Sequence, residues 1–93
     1  MDQQRLLFLI LVVIVLTKAQ ARGVTISSYL RNPATNAAAG GVSNSLHLVG
    51  LAMDLVGPWT ELERVAILWR SLGLDAVLES DHLHIELDGP ALR

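Results

Sequence analysis

The chain has 93 residues, 52% of them hydrophobic, and a formal net charge of −2. This length allows one small domain, and a slightly negative charge does not favour the basic patch typical of nucleic-acid-binding proteins. We therefore expect no nucleic-acid partner. The chain has no cysteine, which excludes disulfide bonds and thiolate metal sites. A domain this small is marginally stable on its core alone, and a bound metal is one common source of extra stability.

The N-terminal residues are predicted to form a separate segment. Residues 6–16 are an unbroken apolar run preceded by Arg5, and as a helix they would span about 16 Å of a hydrocarbon core about 30 Å thick. Because Ala19-Gln20-Ala21 has the small-x-small form of a signal-peptidase site, residues 1–21 are predicted to be a secretory signal peptide. An uncleaved membrane anchor is the alternative. Either way, residues 22–93 are the exported domain, and only the N-terminal segment contacts a membrane.

Short apolar runs in the exported domain predict a small sheet. Residues 24–27 are β-branched and typical of an entering strand, and residues 50–56 are typical of a buried strand. Residues 75–79 and 82–87 are predicted to form an antiparallel hairpin, because only Ser80-Asp81 separates them. Alternation then places His82, His84 and Glu86 on one face of the last strand.

Two helices are predicted. A short one covers residues 33–39 and starts at Pro33, a residue that suits the first helical position, and a flexible connection of residues 40–44 follows it. The main helix is predicted to start with Thr60 as its N-cap, with Glu63 completing a capping box, and to stop at Gly73. Its apolar stripe comprises Leu62, Val65, Ala66, Trp69 and Leu72. The fold class is therefore α+β, a small antiparallel sheet with one main and one short helix.

All three histidines lie in two polar segments. His47 and Asp54 are seven residues apart in the first segment, and His82 and His84 lie in the second, residues 79–86. Imidazoles and carboxylates are good zinc donors, and catalytic zinc sites commonly use three protein ligands and keep one position open. His47 and Asp54 with either His82 or His84 would supply such a set. The spacing differs from the helical His-Glu-x-x-His pattern, so the site must be assembled from separate segments.

These segments resemble the M15 zinc peptidases of the D-alanyl-D-alanine carboxypeptidase type, whose fold the hedgehog signalling domain shares. The resemblance covers about residues 24–88. It is carried by Ser45-x-His47-x-x-Gly50-x-Ala52-x-Asp54, by His82-x-His84, and by the upstream Tyr29-x-Arg31-x-Pro33-x-x-Asn36 and Gly40-Gly41-Val42-x-Asn44-Ser45. One departure is Leu83, where some relatives have a tryptophan before the last zinc histidine. This departure leaves substrate specificity open.

The resemblance implies how zinc and substrate are bound. It implies that His47, Asp54 and His84 hold one Zn²⁺ per chain. It also implies that Arg31 binds a carboxylate of the substrate, which suits the planar donor fork of guanidinium. Ser45 either caps a turn or hydrogen-bonds the substrate or a metal ligand, and the resemblance favours the second role.

The resemblance also implies the proton-transfer groups. His82 would stabilise the developing oxyanion or help to move a proton. A zinc peptidase needs a general base. Asp81 is favoured because it lies three residues before the last ligand, and Glu79 is the alternative.

The implied protein is an exported zinc metallopeptidase that hydrolyses the stem peptides of bacterial peptidoglycan, as a D,D-carboxypeptidase or an endopeptidase. It would be a monomer in the periplasm or cell envelope, either free or anchored in the inner membrane. The alternative is a non-catalytic module that contains zinc and binds cell-wall peptides. Replacement of Asp81 and Glu79 distinguishes the enzyme from the binding module, because only the enzyme requires a general base and would lose its function.

Overall fold

The computed structural model describes residues 2–38 and 45–93, so the predicted connection of residues 40–44 lies outside the described part of the chain. The helices and strands are, in chain order, α1 (Gln3–Ala19), β1 (Thr25–Ser28), α2 (Pro33–Ala38), β2 (Ala52–Val56), α3 (Trp59–Ser71), β3 (Ala76–Leu78) and β4 (Leu83–Glu86). Two 3₁₀ turns, Leu46–Val49 and Pro90–Leu92, complete the described elements. The α+β fold class predicted from the sequence is confirmed.

The four strands form one antiparallel sheet in the order β1-β2-β4-β3. β2 is an inner strand, and its residue Asp54 pairs with Ser28 of β1 on one side and with His84 of β4 on the other. Directly opposed residues of an antiparallel pair project from the same face of the sheet. The pairing of β2 with β4 therefore brings Asp54 and His84 together although 30 residues separate them in sequence.

The predicted hairpin of the last two strands is confirmed. β3 and β4 are antiparallel, and the Glu79 N–H donates to the His82 carbonyl across the turn at 2.8 Å. In β4 the side chains of Leu83 and Ile85 are buried, whereas His84 and Glu86 are half-buried. This alternation turns one face of the strand to the core and the other to the polar site.

The main helix starts two residues earlier than predicted. Pro58, not Thr60, is the N-cap residue of α3, and no side chain caps this end, so the predicted capping box is wrong. The Pro58 carbonyl accepts from the N–H groups of Glu61 and Leu62. The backbone hydrogen bonds of the helix therefore begin before Thr60. Gly73 has φ +78° and ends the helix as expected.

The predicted apolar stripe of α3 is confirmed at four of its five positions. Leu62, Val65, Ala66 and Trp69 are buried, but Leu72 is exposed because it is the residue that follows the last helical turn. The buried side chains pack against Met53, Leu55, Leu83 and Ile85 of the sheet in one core.

α1 forms the second helix of this core. Its residues Phe8, Val12, Val15 and Ala19 are buried. The Phe8 ring meets Trp69 of α3 edge-on, with the ring centroids 5.7 Å apart. No helix within residues 2–38 and 45–93 is both long and apolar enough to cross a membrane. Removal of residues 1–21 during export stays a prediction.

Candidate metal centre

A short turn carries the first histidine. The 3₁₀ turn Leu46–Val49, called here the His47 turn, is capped by Ser45, whose Oγ accepts a hydrogen bond from the His47 N–H at 3.2 Å. Gly50 ends the turn with φ +72°, a left-handed conformation that suits glycine. The Tyr29 hydroxyl donates to the Gly50 carbonyl at 2.9 Å, and Arg5 Nε donates to the Val49 carbonyl at 2.8 Å. The end of the turn is therefore hydrogen-bonded to the residue that follows β1 and to α1.

The His47 ring is buried with one nitrogen that lacks a hydrogen bond. Its Nδ1 lies 2.7 Å from the Tyr29 carbonyl oxygen, which only accepts, so Nδ1 carries the hydrogen and Nε2 presents a lone pair. Nε2 lies 3.3 Å from Asp54 Oδ1 but has no hydrogen-bond partner among the described residues, although the side chain is only 2% exposed. A buried polar atom is normally satisfied, and a metal ion would satisfy this one.

Asp54 and His84 complete a set of three ligands. His84 Nδ1 lies 3.0 Å from Asp54 Oδ1, and its other nitrogen, Nε2, lies 2.7 Å from Glu86 Oε1. One ligand atom from each of His47, Asp54 and His84 can be chosen so that all three lie within 4.8 Å of one another. Two imidazoles and one carboxylate fit zinc, and Glu86 supplies the carboxylate that commonly orients a ligating imidazole.

The proximity of these groups shifts two pKa values. Burial raises the pKa of Asp54, but the hydrogen bond with His84 and the electrostatic effect of the three nearby imidazoles outweigh it and hold that pKa below its ordinary value of 3.8. The hydrogen bond with Asp54 raises the pKa of His84 above 6.5 against the opposing effect of burial, and Glu86 adds to the rise. The site thus favours an ionised Asp54 and attracts positive charge.

Arg31 binds the carboxylate of Asp54 from the side of β1. Its Nη2 donates to Asp54 Oδ2 at 2.8 Å, and its Nε donates to Ser28 Oγ at 3.0 Å. Nη1 is 3.4 Å from Asn36 Oδ1 in α2. Arg31 also lines a cleft of about 500 Å³ together with Arg5, Leu30, Asn32 and Leu48. The guanidinium therefore lies between the ligand set and an open cleft.

His82 connects the hairpin turn to the ligand set. Its Nδ1 lies 2.6 Å from Asp81 Oδ1, and its Nε2 lies 3.7 Å from Glu79 Oε2 and 3.8 Å from Asp54 Oδ1. The side chains of Asp81 and Glu79 are exposed. Within the described residues, neither carboxylate has an ion pair with His47 or His84. The His82 ring therefore lies between these two carboxylates and the ligand set.

The structure brings most of the predicted site residues together. His47, Asp54, His82, His84 and Arg31 converge, whereas Ser45 contacts the backbone of the His47 turn. Sequence reasoning did not identify two supporting groups, the Tyr29 carbonyl and the Glu86 carboxylate. A backbone carbonyl has no sequence signal, but Glu86 shares a strand face with His84, and this alternation was the available signal.

Comparisons with known proteins agree with this geometry. A sequence model of the Peptidase M15 family matches residues 4–86, a range that includes nearly all of α1, the sheet and the ligand set. The fold is similar to that in the crystal structure of Serratia marcescens L-Ala D-Glu endopeptidase ChiX, with a TM-score of 0.54 and 21% sequence identity over 83% of this chain and 77% of that chain. No curated protein matches the chain. The predicted family is therefore confirmed, and the chain belongs to the M15 peptidases.

Proposed function

We propose that this M15 peptidase is zinc-dependent and hydrolyses peptide bonds in the stem peptides of bacterial peptidoglycan, as a D,D-carboxypeptidase or an endopeptidase. The observation that carries the zinc proposal is the buried His47 Nε2, which has no hydrogen-bond partner among the described residues and faces Asp54. Family membership supports the peptidase class. The fold likeness to an L-Ala D-Glu endopeptidase makes a stem-peptide bond the first substrate to test.

His47, Asp54 and His84 would hold one zinc ion per chain. Zinc at such a site acts as a Lewis acid that polarises a carbonyl and lowers the pKa of water. The hydrogen bond from His47 Nδ1 to the Tyr29 carbonyl and the contact between His84 Nε2 and Glu86 hold the two rings for this task. One chain supplies all three ligands, and we propose that the enzyme is a monomer.

The hairpin turn supplies the proton-transfer groups. Asp81 is the proposed general base, with Glu79 as the alternative, because both carboxylates contact the His82 ring. His82 lies 3.8 Å from Asp54 through its Nε2, so it can stabilise charge that develops on the substrate or carry a proton to the turn.

Arg31 is proposed to bind a substrate carboxylate from the adjoining cleft. Its contacts with Asp54, Ser28 and Asn36 use three of the five N–H donors of a guanidinium. We propose that the remaining donors bind a carboxylate in the cleft of about 500 Å³ that Arg31 lines. Ser45, which caps the His47 turn, is proposed to support the site at the same end. Since peptidoglycan lies outside the cytoplasmic membrane, the proposed place of action is the periplasm or cell envelope.

The test combines zinc content with activity in the full chain. We expect one zinc per purified chain and a chelator-sensitive release of peptides from peptidoglycan. Both should be lost in His84→Ala. Asp81→Asn and Glu79→Gln should keep zinc, and one of them should abolish release. Glu63→Gln on the exposed part of α3 is the matched control and should change neither quantity.

Three results would change the proposal. Zinc without peptide release would indicate a module that binds cell-wall peptides instead of an enzyme. Peptide release that persists in both Asp81→Asn and Glu79→Gln would remove the proposed bases. A folded wild-type chain without zinc after exposure to excess metal would contradict the zinc proposal altogether.

A further inference from the structure

α1 has two apolar faces, and the structure buries only one of them. Phe8, Val12, Val15 and Ala19 lie in the core. On the opposite side, aliphatic side chains are 46–63% exposed and recur at helical spacing; this group, called here the apolar α1 face, comprises Leu6, Leu7, Ile10, Val13 and Ile14. A helix that is apolar all round is normally covered on every side. Exposed apolar patches of this kind mark interaction sites.

Cations lie at the C-terminal end of α1 and on the adjoining surface of α3. Ile67 of α3 is 64% exposed and lines a shallow recess together with Lys18 and Arg64. Arg64 forms an ion pair with Glu61, whereas Lys18 lies in the last turn of α1. Exposed aliphatic side chains with basic side chains nearby suit an anionic membrane surface, which offers both apolar and negatively charged groups.

Charge is distributed unequally along the chain. Residues 1–22 contain three cations, Arg5, Lys18 and Arg22, and one acid, Asp2. The remaining 71 residues contain four cations and eight acids. The end of the chain that carries the apolar α1 face is therefore net positive, and the rest of the domain is net negative. An anionic surface attracts the first part and repels the second, so it would orient the molecule with α1 towards the surface.

We propose that the folded protein docks on an anionic lipid surface through the apolar α1 face, with α1 lying in the plane of the membrane. The core contacts of Phe8 and Val12 fix the opposite side of the helix, so only the exposed side is available to lipid. Helices of this kind bury their apolar side about 5–10 Å into the headgroup region. A second copy of the chain is a less suitable partner, because a standard protein interface uses about 20–30 residues per partner.

The docked orientation has a consequence for the metal centre. Arg5, near the N-terminal end of α1, donates to the Val49 carbonyl of the His47 turn and lines the cleft beside Arg31. The cleft therefore adjoins the end of the docked helix, and the protein would act on substrate close to the membrane. The docking itself requires neither zinc nor catalytic activity, so its test is independent of the proposed function.

The experiment measures co-sedimentation of the full chain with lipid vesicles. We expect binding to vesicles of phosphatidylglycerol and phosphatidylcholine in equal parts, and weaker binding to phosphatidylcholine alone. The triple variant Ile10→Gln, Val13→Gln, Ile14→Gln should reduce binding to anionic vesicles by about tenfold or more, since it removes the inserted aliphatic side chains. Ile26→Gln with Val77→Gln, which alters exposed aliphatic residues on strands, is the matched control and should bind like the wild type.

Thermal unfolding of each variant separates a docking effect from loss of the fold. If the triple variant does not fold, the single variant Val13→Gln, at the most exposed of the five positions, replaces it and should still weaken binding. Three results would overturn the proposal: a monomer that binds neither vesicle, a lipid-free dimer that the same substitutions dissociate, or a mature chain that begins after Ala21.

Discussion

At the scale of single residues, Glu86 controls the orientation of the His84 ring. Its Oε1 lies 2.7 Å from His84 Nε2, which leaves Nδ1 directed at Asp54. We expect Glu86→Ala to lower zinc affinity by about 10- to 100-fold, the usual cost of losing such an outer partner. Glu86→Gln keeps a hydrogen-bond acceptor for the His84 ring and should lower the zinc affinity by a smaller factor. Competition with a chromophoric chelator measures both affinities.

The control for Glu86 is Glu63→Gln on α3, which should leave zinc affinity unchanged. Equal affinities for wild type and Glu86→Ala would mean that packing alone orients the His84 ring. Because affinity is measured without substrate, this result does not depend on whether the protein is active.

A second prediction at this scale concerns pH. The pKa of His84 is raised above 6.5 by its hydrogen bond with Asp54, so in the zinc-free protein this group stabilises the fold fully below pH 6.5 and loses its contribution as pH rises through the raised pKa. The lowered pKa of Asp54 acts in the acid range, where its contribution is lost as pH falls below 3.8. We therefore expect the Tm of the zinc-free protein to fall as pH rises above 6.5.

Zinc should reverse this trend, because it binds His84 only when the imidazole is neutral. The affinity for zinc therefore increases as His84 loses its proton. Melting curves of the zinc-free and zinc-loaded chain at several pH values measure both effects. His84→Gln, which does not titrate, should flatten the zinc-free curve. A zinc-free Tm that rises over the same interval would contradict the assignment to His84.

The residues of the site were more predictable than their surroundings. The spacing of His47, Asp54 and His84 in the sequence carries the family resemblance, and the structure brings their side chains together. The choice between Asp81 and Glu79 was not predictable, since both lie at a turn where strand alternation no longer applies. The structure adds that both contact His82, a relation that depends on the path of the turn.

At the scale of secondary-structure elements, α1 should contribute strongly to stability through one face. Phe8 is fully buried, stacks on Tyr29 with the ring centroids 6.1 Å apart and meets Trp69 edge-on. We expect Phe8→Ala to lower the free energy of unfolding by about 3–5 kcal/mol, the range for deleting a buried phenylalanine. Urea unfolding of the full chain measures it.

Leu7 is the matched control for Phe8, since it lies on the exposed face of the same helix. Leu7→Ala should change the free energy of unfolding by no more than about 0.5 kcal/mol, as exposed substitutions usually do. Equal destabilisation by the two substitutions would contradict the packing of α1 against α3.

The two helices of the core differ in how well the sequence predicts them. In α3, apolar residues recur at helical spacing between polar ones, so the buried face of Leu62, Val65, Ala66 and Trp69 was predictable. In α1 the run of residues 6–16 is apolar throughout, so periodicity does not distinguish a core helix from a signal peptide. Packing against Trp69 is a tertiary contact that no local pattern indicates.

At the scale of the whole molecule, zinc would join parts of the chain that are distant in sequence. The proposed ligands come from the His47 turn, β2 and β4. A ligand that binds only the folded state stabilises it by about 4 kcal/mol at a free concentration one thousand times its Kd. We therefore expect a chelator to lower the Tm markedly and added zinc to restore it, as differential scanning calorimetry would measure. An unchanged Tm in the presence of chelator would contradict a zinc ion at this site.

The pairing of β2 with β4 also has a kinetic consequence. Asp54 and His84 meet only when β4 pairs with β2 across the intervening α3 and β3, whereas α3 and the β3–β4 hairpin need only local contacts. Since contacts of long sequence separation carry the larger loop-closure cost, we expect local elements to form first and the ligand set to assemble late. Zinc bound to a late-forming site leaves the folding rate unchanged and slows unfolding. The metal would then prolong the lifetime of the native state. Slow unfolding of this kind protects a protein that is exposed to proteases.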